Sequence, residues 1–228
     1  MKNNSIFSKN NKGDLKFIGD FEAVYNEDND PWSQSGCTDI NYKKYYDYSR
    51  NKINEVIKSL HKQHISILEV GCGLGYVVDL IARNNPKIEV NGSDISKKAI
   101  QIAKKKFPQY NFFVNDITSN KKNLDKKFDI VIFNQILWYI LEKLDNSFLN
   151  SHRILKNNGY LIISQAFFRS EQKYGKDIVN GFKGLDDVMK SKYSYLFELK
   201  SKTFNNSEIY LHNDGNFVFK RKDNFKSN

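Results

Sequence analysis

Several residue types are scarce in this chain, and each scarcity excludes a class of protein. The 228 residues include two cysteines, Cys37 and Cys72. These are too few for a disulfide framework, so we expect a reducing compartment. The sequence has no run of about 18 apolar residues, and its first ten residues lack the apolar stretch of a secretory signal. It therefore predicts a soluble cytoplasmic protein without a membrane partner.

Arginine is also scarce, although the chain is basic. The formal net charge is +10, from 36 Lys and Arg against 26 Asp and Glu, and five of the 36 are arginine. Nucleic-acid-binding proteins rely on arginine for bidentate contacts. A surface of solvated lysines is therefore the preferred interpretation, and nucleic acid is not the expected partner.

The hydrophobic pattern predicts strands that alternate with amphipathic helices. Five strands are expected at 65–70, 88–94, 110–115, 128–133 and 160–168, and two more at 195–204 and 216–222. Helices are expected near 41–62, between the first strands, near 143–155 and near 184–193. This order is typical of an α/β protein with a mostly parallel sheet that is covered by helices on both faces. Residues 1–30 are predicted to be an irregular, mobile arm.

Three glycines stand at alternate positions directly after the first predicted strand. They are Gly71, Gly73 and Gly75 in the stretch LEVGCGLGYVVDL, 68–80. In parallel sheets, ligands bind outside the carboxyl ends of the strands, and bare backbone allows a close approach there. A dinucleotide requires the spacing G-x-G-x-x-G, whereas this loop has G-x-G-x-G. A nicotinamide dehydrogenase is therefore the least favoured enzyme class.

Polar side chains follow the next predicted strands. Asp94 can accept hydrogen bonds from ribose hydroxyls, or favour the start of the next helix. Asp116 can accept an adenine amine while Ile117 packs on the ring, or it can make an Asx-turn. Asn134 and Gln135 follow the fourth strand.

These segments together resemble class I S-adenosylmethionine-dependent methyltransferases. The matching stretches are ILEVGCGLG (67–75), GSDIS (92–96), VNDIT (114–118), FDIVIFNQIL (128–137) and RILKNNGYLIIS (153–164). The resemblance implies a Rossmann-like seven-stranded sheet with 195–204 and 216–222 as an antiparallel edge pair. It implies S-adenosylmethionine as cofactor and S-adenosylhomocysteine as product, and no metal.

The resemblance also implies roles for residues of the loop and the strand ends. The three glycines would lie against the methionine part of the cofactor, and Asn134 near its amino group. Asp94 would bind the ribose, Asp116 and Ile117 would lie at the adenine, and Ile95 would be a further cofactor-binding residue.

An aromatic-rich segment precedes the first predicted strand. Tyr42, Tyr46 and Arg50 share one helical face. They form either a helix that covers the core or a lid in which Arg50 binds the cofactor carboxylate. The segment DPWSQSG…YY…R is similar to small-molecule methyltransferases of the nodulation-protein-S type. We therefore predict an N-terminal arm and lid helix over 1–62, ahead of a cofactor-binding domain over 63–228.

Three side chains are the candidates for catalysis: Gln135, Tyr139 and His212. The predicted function is methyl transfer to an O or N atom of a small polar metabolite. A sugar, a sugar phosphate or a capsular phosphoramidate or aminopolyol precursor of a surface polysaccharide would fit. The alternatives are an RNA methyltransferase, motivated by the charge, and a non-catalytic cofactor-binding subunit.

Overall fold

A computed structural model describes residues 5–9, 15–36, 39–60, 65–120 and 124–223. Cys37 lies outside these ranges. The central feature is a seven-stranded sheet, and its strands are numbered after a two-stranded N-terminal sheet. That small sheet pairs β1 (Phe7–Lys9) with antiparallel β2 (Leu15–Phe17). The strands of the large sheet are β3 (Ser66–Val70), β4 (Glu89–Asp94), β5 (Asn111–Val114), β6 (Phe128–Asn134), β7 (Leu155–Phe167), β8 (Phe197–Asn205) and β9 (Asn213–Arg221).

The large sheet has the strand order β5-β4-β3-β6-β7-β9-β8. The first five strands in this order are parallel, and β9 runs antiparallel to both β7 and β8. The predicted seven-stranded, mostly parallel sheet with an antiparallel C-terminal edge pair is therefore confirmed. Strand β3 lies in the middle of the sheet, between β4 and β6. The ends of these three strands therefore meet at the glycine loop (71–75).

Helices cover both faces of the sheet. They are α1 (Phe21–Glu27), α2 (Ile40–Ser59), α3 (Tyr76–Asn84), α4 (Lys97–Lys106), α5 (Leu137–Ile140), α6 (Leu144–Ile154) and α7 (Gly181–Lys192), with a 3-10 turn at Leu141–Lys143. Ile53 and Ile57 of α2 are fully buried in one core cluster with Ile67 of β3. Phe133, Phe148 and Phe217 are buried in the other core cluster. Within the described ranges, no helix is both long and apolar enough to cross a membrane.

The prediction that residues 1–30 are irregular was wrong for the described part of that segment. It contains β1, β2 and α1, and Ile6, Val24 and Tyr25 are buried. Helix α1 begins at a capped end, because the Asp20 carboxylate accepts a hydrogen bond from the Ala23 N–H at 3.0 Å. The strands have three residues each, which is too short for an alternating pattern to be visible in the sequence.

Candidate functional site

The glycine loop connects β3 to α3 in a conformation that favours glycine. Gly71, Gly73 and Gly75 have φ angles of 70°, 51° and 81°, a region that other residues rarely adopt. A Cβ on Gly73 would lie 2.7 Å from the Tyr25 hydroxyl oxygen, and one on Gly75 would lie 2.7 Å from the Phe112 ring. The loop therefore needs bare backbone both for its turn and for its contacts with other parts of the chain.

Substitution of Gly75 by alanine should destabilise the fold. Left-handed backbone costs a non-glycine residue about 1–2 kcal/mol, and overpacking against the buried Phe112 ring adds about 1–3 kcal/mol. We expect urea unfolding to show a loss of about 2–5 kcal/mol in the free energy of unfolding. The matched control is Gly181→Ala, because Gly181 has φ 64° but open space at its Cβ position. Equal losses in the two variants would contradict the predicted contact with Phe112.

Asp94 ends β4 beneath the glycine loop. One carboxylate oxygen accepts the Gly73 N–H at 2.9 Å, and the other accepts the Ser96 N–H at 2.9 Å. Burial raises the pKa of Asp94. The Ser96 hydroxyl caps α4 by accepting the Ala99 N–H at 3.1 Å. Asp94 thus shapes the loop and the start of α4, and its contact with a ribose stays a prediction.

Polar atoms without a partner lie buried close to the loop. Glu69, which is 2% exposed, accepts a hydrogen bond from the Asn134 amide nitrogen at 3.3 Å. Among the described residues, no partner reaches Glu69 Oε2, Asn134 Oδ1 or Arg50 Nε. Burial raises the pKa of Glu69 to about 8, although Asn134 and Arg50 favour its ionised form. Two acceptors suit an ammonium group and one donor suits a carboxylate, so these residues fit the amino-acid end of S-adenosylmethionine.

Arg50 lies between two tyrosine rings on the side of the N-terminal segment. Its guanidinium carbon is 4.8 Å from the ring centre of Tyr46 and 5.1 Å from that of Tyr76. One terminal nitrogen donates to the Gln34 carbonyl at 2.6 Å. Arg50 is therefore held in place near the loop by stacking and by one hydrogen bond, and its Nε has no partner within the described ranges.

The three residues predicted beside the adenosine part of the cofactor differ in their contacts and exposure. The Asp116 carboxylate accepts the N–H and the hydroxyl of Thr118 at 2.9 and 2.7 Å, the geometry of an Asx-turn. Ile117 is buried in the core, whereas Ile95 is 48% exposed. The roles of Asp116, Ile117 and Ile95 at the cofactor stay predictions.

Tyr139 lies in an aromatic cluster rather than in an open cleft. Its ring contacts four aromatic rings of the N-terminal segment: Phe7, Phe17, Phe21 and Trp32. The Tyr139 hydroxyl accepts the Trp32 indole N–H at 2.9 Å, and burial raises the pKa of Tyr139. This position favours a packing role for Tyr139 over the predicted catalytic one.

Gln135 belongs to a buried polar network that sequence reasoning missed. Its amide nitrogen donates to the Tyr45 hydroxyl at 2.9 Å, and its amide oxygen accepts the Ala166 N–H at 2.7 Å. Tyr45 in turn donates to the Asp214 carboxylate at 3.1 Å. Asp214 is 1% exposed, and the signal that could have identified it is an acid a few residues before the apolar run FVF of β9. Both ends of the Gln135 amide are thus engaged, which leaves it little capacity to bind an acceptor.

His212 lies beside this network, on the loop between β8 and β9. Its ring is 5.2 Å from that of Tyr45, in an edge-to-face arrangement. Burial, with the nearby positive charge of Arg169, lowers the pKa of His212, so the ring is neutral near pH 7. Of the three predicted catalytic residues, His212 is the one whose ionisation suits a proton acceptor.

Comparison with known proteins agrees with this geometry. A family model described as a methyltransferase domain matches residues 61–201. The chain is 28% identical over 130 residues to malonyl-[acyl-carrier protein] O-methyltransferase of Priestia megaterium, a match that covers 54% of this chain and 46% of that protein. The enzyme of the same name from Ilyobacter polytropus is 26% identical over 197 residues, or 84% of this chain and 70% of that protein. The chain thus spans about half the length of the first of these relatives.

Solved structures share the fold over most of the chain. The N-methyltransferase NodS from Bradyrhizobium japonicum WM9, solved with S-adenosylhomocysteine, matches with a TM-score of 0.68 and 15% identity. The match covers 89% of this chain and 98% of NodS. Magnesium protoporphyrin IX methyltransferase from Synechocystis PCC 6803, also with bound S-adenosylhomocysteine, gives a TM-score of 0.64 at 17% identity and covers 88% and 97% of the two chains. At these identities, the likeness establishes the fold.

Proposed function

The chain belongs to the methyltransferase domain family and uses S-adenosylmethionine as its methyl donor, and from this premise we propose that its acceptor is a small polar metabolite. The observation that supports a cofactor site beside the glycine loop is the set of buried polar atoms of Arg50, Glu69 and Asn134 that have no partner among the described residues. S-adenosylhomocysteine is then the product that leaves the same site.

The proposed cofactor contacts follow from the positions of these groups. Arg50 would bind the carboxylate of the cofactor, while Glu69 and Asn134 would bind its amino group. The backbone of Gly71 and Gly73 would lie against the methionine chain, and Asp94 at the ribose. The cofactor supplies a methyl group already activated by a sulfonium. Holding the acceptor and this group in line can contribute on the order of 7–11 kcal/mol.

The N-terminal segment supports a small acceptor. Trp32 bonds to Tyr139 on one side of the strand ends, and Tyr25 and Gln34 reach Gly73 on the other. Side chains of the N-terminal segment thus cover the glycine loop, and we propose that a loop covered in this way admits a small molecule or a slender reactive group. A sugar, a sugar phosphate or a phosphorylated aminopolyol is the acceptor class that we propose to test first.

His212 is the proposed base for a hydroxyl acceptor. Its lowered pKa keeps the ring neutral near pH 7, and Tyr45 packs against it. A neutral ring can take the proton that a hydroxyl loses as its oxygen attacks the methyl group, whereas an unprotonated amine attacks without prior loss of a proton.

An acceptor screen with a His212 variant tests this proposal. Release of S-adenosylhomocysteine would be measured for wild type and His212→Gln across sugars, sugar phosphates and aminopolyols. For a hydroxyl acceptor, we expect the substitution to lower kcat by about 10²–10⁴-fold with an unchanged Kd for S-adenosylhomocysteine. His152→Gln is the control, because His152 lies on α6 and bonds to the Lys222 carbonyl just after β9. Equal activity of His212→Gln and wild type on a hydroxyl acceptor would refute the role of His212.

A second candidate acceptor is an acyl group on a carrier protein. The malonyl-[acyl-carrier protein] O-methyltransferases among the relatives motivate it, and the net charge of +10 would favour an acidic partner. The same screen should therefore include a malonylated carrier protein. Turnover that falls steeply with salt on this substrate, with none on the metabolites, would replace the first candidate by the second.

A further inference from the structure

Residues 30–36 form a compact turn, here called the strap, that lies over the glycine loop. The Asp30 carboxylate accepts the N–H groups of Gln34 and Ser35 at 2.6 and 2.9 Å. The Asp30 carbonyl accepts the Ser33 N–H at 2.9 Å, and Ser33 has a φ of 52°. Hydrogen bonds within the strap thus fix its shape, and the strap holds the Gln34 side chain towards the glycine loop.

The strap is fixed to three parts of the site. The Trp32 indole donates to Tyr139, and the Tyr46 hydroxyl donates to the Trp32 carbonyl at 2.7 Å. Arg50 donates to the Gln34 carbonyl. One donor of Arg50 is therefore engaged by the strap, while no described residue bonds to its Nε.

The Gln34 side chain lies directly on the glycine loop. Its amide oxygen accepts the Leu74 N–H at 3.1 Å. Both its amide oxygen and its amide nitrogen are 2.8 Å from the position of a Cβ on Gly73. The Leu74 N–H lies just before α3, where free backbone donors favour the oxygen of an anionic ligand.

We propose that Gln34 is an internal ligand, which occupies cofactor-binding donors in the free protein and is displaced by the cofactor. The inference rests on the proposed cofactor contacts of Arg50 and the glycine loop. An amide oxygen on Leu74 and a main-chain carbonyl on Arg50 imitate the oxygens of a carboxylate. Glu69 Oε2 and Asn134 Oδ1 are left unpartnered by the strap, so the ligand that replaces Gln34 is one that also carries an amino group. Gln34 then sets cofactor affinity by competition.

Calorimetric titration of the full chain with S-adenosylhomocysteine tests the competition. Loss of one neutral hydrogen bond to the competitor should lower the Kd of Gln34→Ala about three- to tenfold below that of wild type. Gln34→Glu places a charge near Arg50 and should raise the Kd by at least as much, with a larger effect at low salt. The control is Asn29→Ala, an exposed position just before the strap, whose Kd should match wild type within about twofold.

Tryptophan fluorescence gives a second readout of the same event. Trp32 and Trp138 are the two tryptophans of the chain, so a Trp138→Phe background isolates Trp32. We expect Trp32 emission to change on saturation with S-adenosylhomocysteine as its bond to Tyr139 breaks. Weaker binding by Gln34→Ala would make Gln34 a direct cofactor contact and overturn the proposal, as would an unchanged Kd. Failure of wild type to bind would overturn the cofactor contacts as well, whereas equal, tight binding by both proteins would overturn the internal ligand alone.

Discussion

Asp94→Ala should abolish most of the affinity for S-adenosylhomocysteine, with a Kd at least about 100-fold above that of wild type. The carboxylate holds the Gly73 and Ser96 N–H groups, and hydrogen bonds to a charged group contribute about 1.5–3 kcal/mol each. Its removal releases the glycine loop, and also removes the acceptor that we expect for the ribose. Calorimetric titration of both proteins at pH 7.5 measures the difference.

Two comparisons distinguish the effect of Asp94→Ala on the glycine loop from its effect on the predicted ribose contact. Glu22→Gln is the matched control, because the Glu22 carboxylate accepts the Ser96 hydroxyl and the Lys98 N–H at the same helix start without contacting the glycine loop. Its Kd should stay within about twofold of wild type. A ligand without the 2′ and 3′ hydroxyls should bind wild type weakly, and it should lose less affinity in Asp94→Ala than S-adenosylhomocysteine does, because only the loop contribution is then removed. Additive losses would mean that Asp94 acts on the loop alone.

The sheet and the glycine loop were predictable from the sequence because their signals are local. Strands β3, β5, β6 and β7 each contain a short apolar run, and the turn after β3 requires three glycines with positive φ. The buried acid Glu69 was visible as a charged residue inside the run SILEV. Its raised pKa was not predictable, because it depends on the burial of the side chain under α2 and the loop.

The N-terminal contacts were not predictable because they join residues far apart in the chain. Gln34 lies 40 residues before Leu74, Trp32 lies 107 before Tyr139, and Tyr45 lies 169 before Asp214. Neither helical periodicity nor strand alternation carries information across such separations. The spacing of Tyr46 and Arg50 correctly predicted that both lie on one face of α2. The adjacent pair Tyr45 and Ser49 anchors that helix to the sheet through hydrogen bonds to Asp214 and Ser164.

The anchoring of α2 also limits which part of the N-terminal segment can move when a ligand binds. Tyr45 bonds to Asp214 of β9, and Ile53 and Ile57 are fully buried. Displacement of α2 would expose these apolar groups and leave a buried carboxylate without its partner, which is costly. The strap has no comparable apolar anchor beyond Trp32. We therefore expect ligand exchange to involve residues 30–36 while Arg50 stays in place.

Glu69→Gln should remove the pH dependence of cofactor affinity and weaken binding at pH 8. In the free protein, burial raises the pKa of Glu69 to about 8, so below that pH the carboxyl is largely protonated. An ammonium group of the ligand favours the ionised form, and binding below pH 8 therefore releases a proton. The affinity of wild type for S-adenosylhomocysteine should rise by about tenfold or more from pH 6 to pH 8. Titration in two buffers with different ionisation enthalpies measures the released proton directly.

The same substitution should have the opposite effect on the stability of the free protein. The pKa of Glu69 is higher in the folded protein than in the unfolded chain. The contribution of its carboxyl group to the free energy of unfolding is therefore complete below about pH 4.5, and it is lost as the pH rises towards 8. A neutral glutamine does not ionise, so Glu69→Gln should match wild type at low pH and exceed it by up to about 4 kcal/mol at pH 8 in urea unfolding. Bound S-adenosylhomocysteine should reverse this order, because only the carboxylate pairs with its amino group. A variant that is less stable than wild type at pH 8 without ligand would show that Glu69 serves the fold, and its unpartnered oxygen would then no longer support a ligand role.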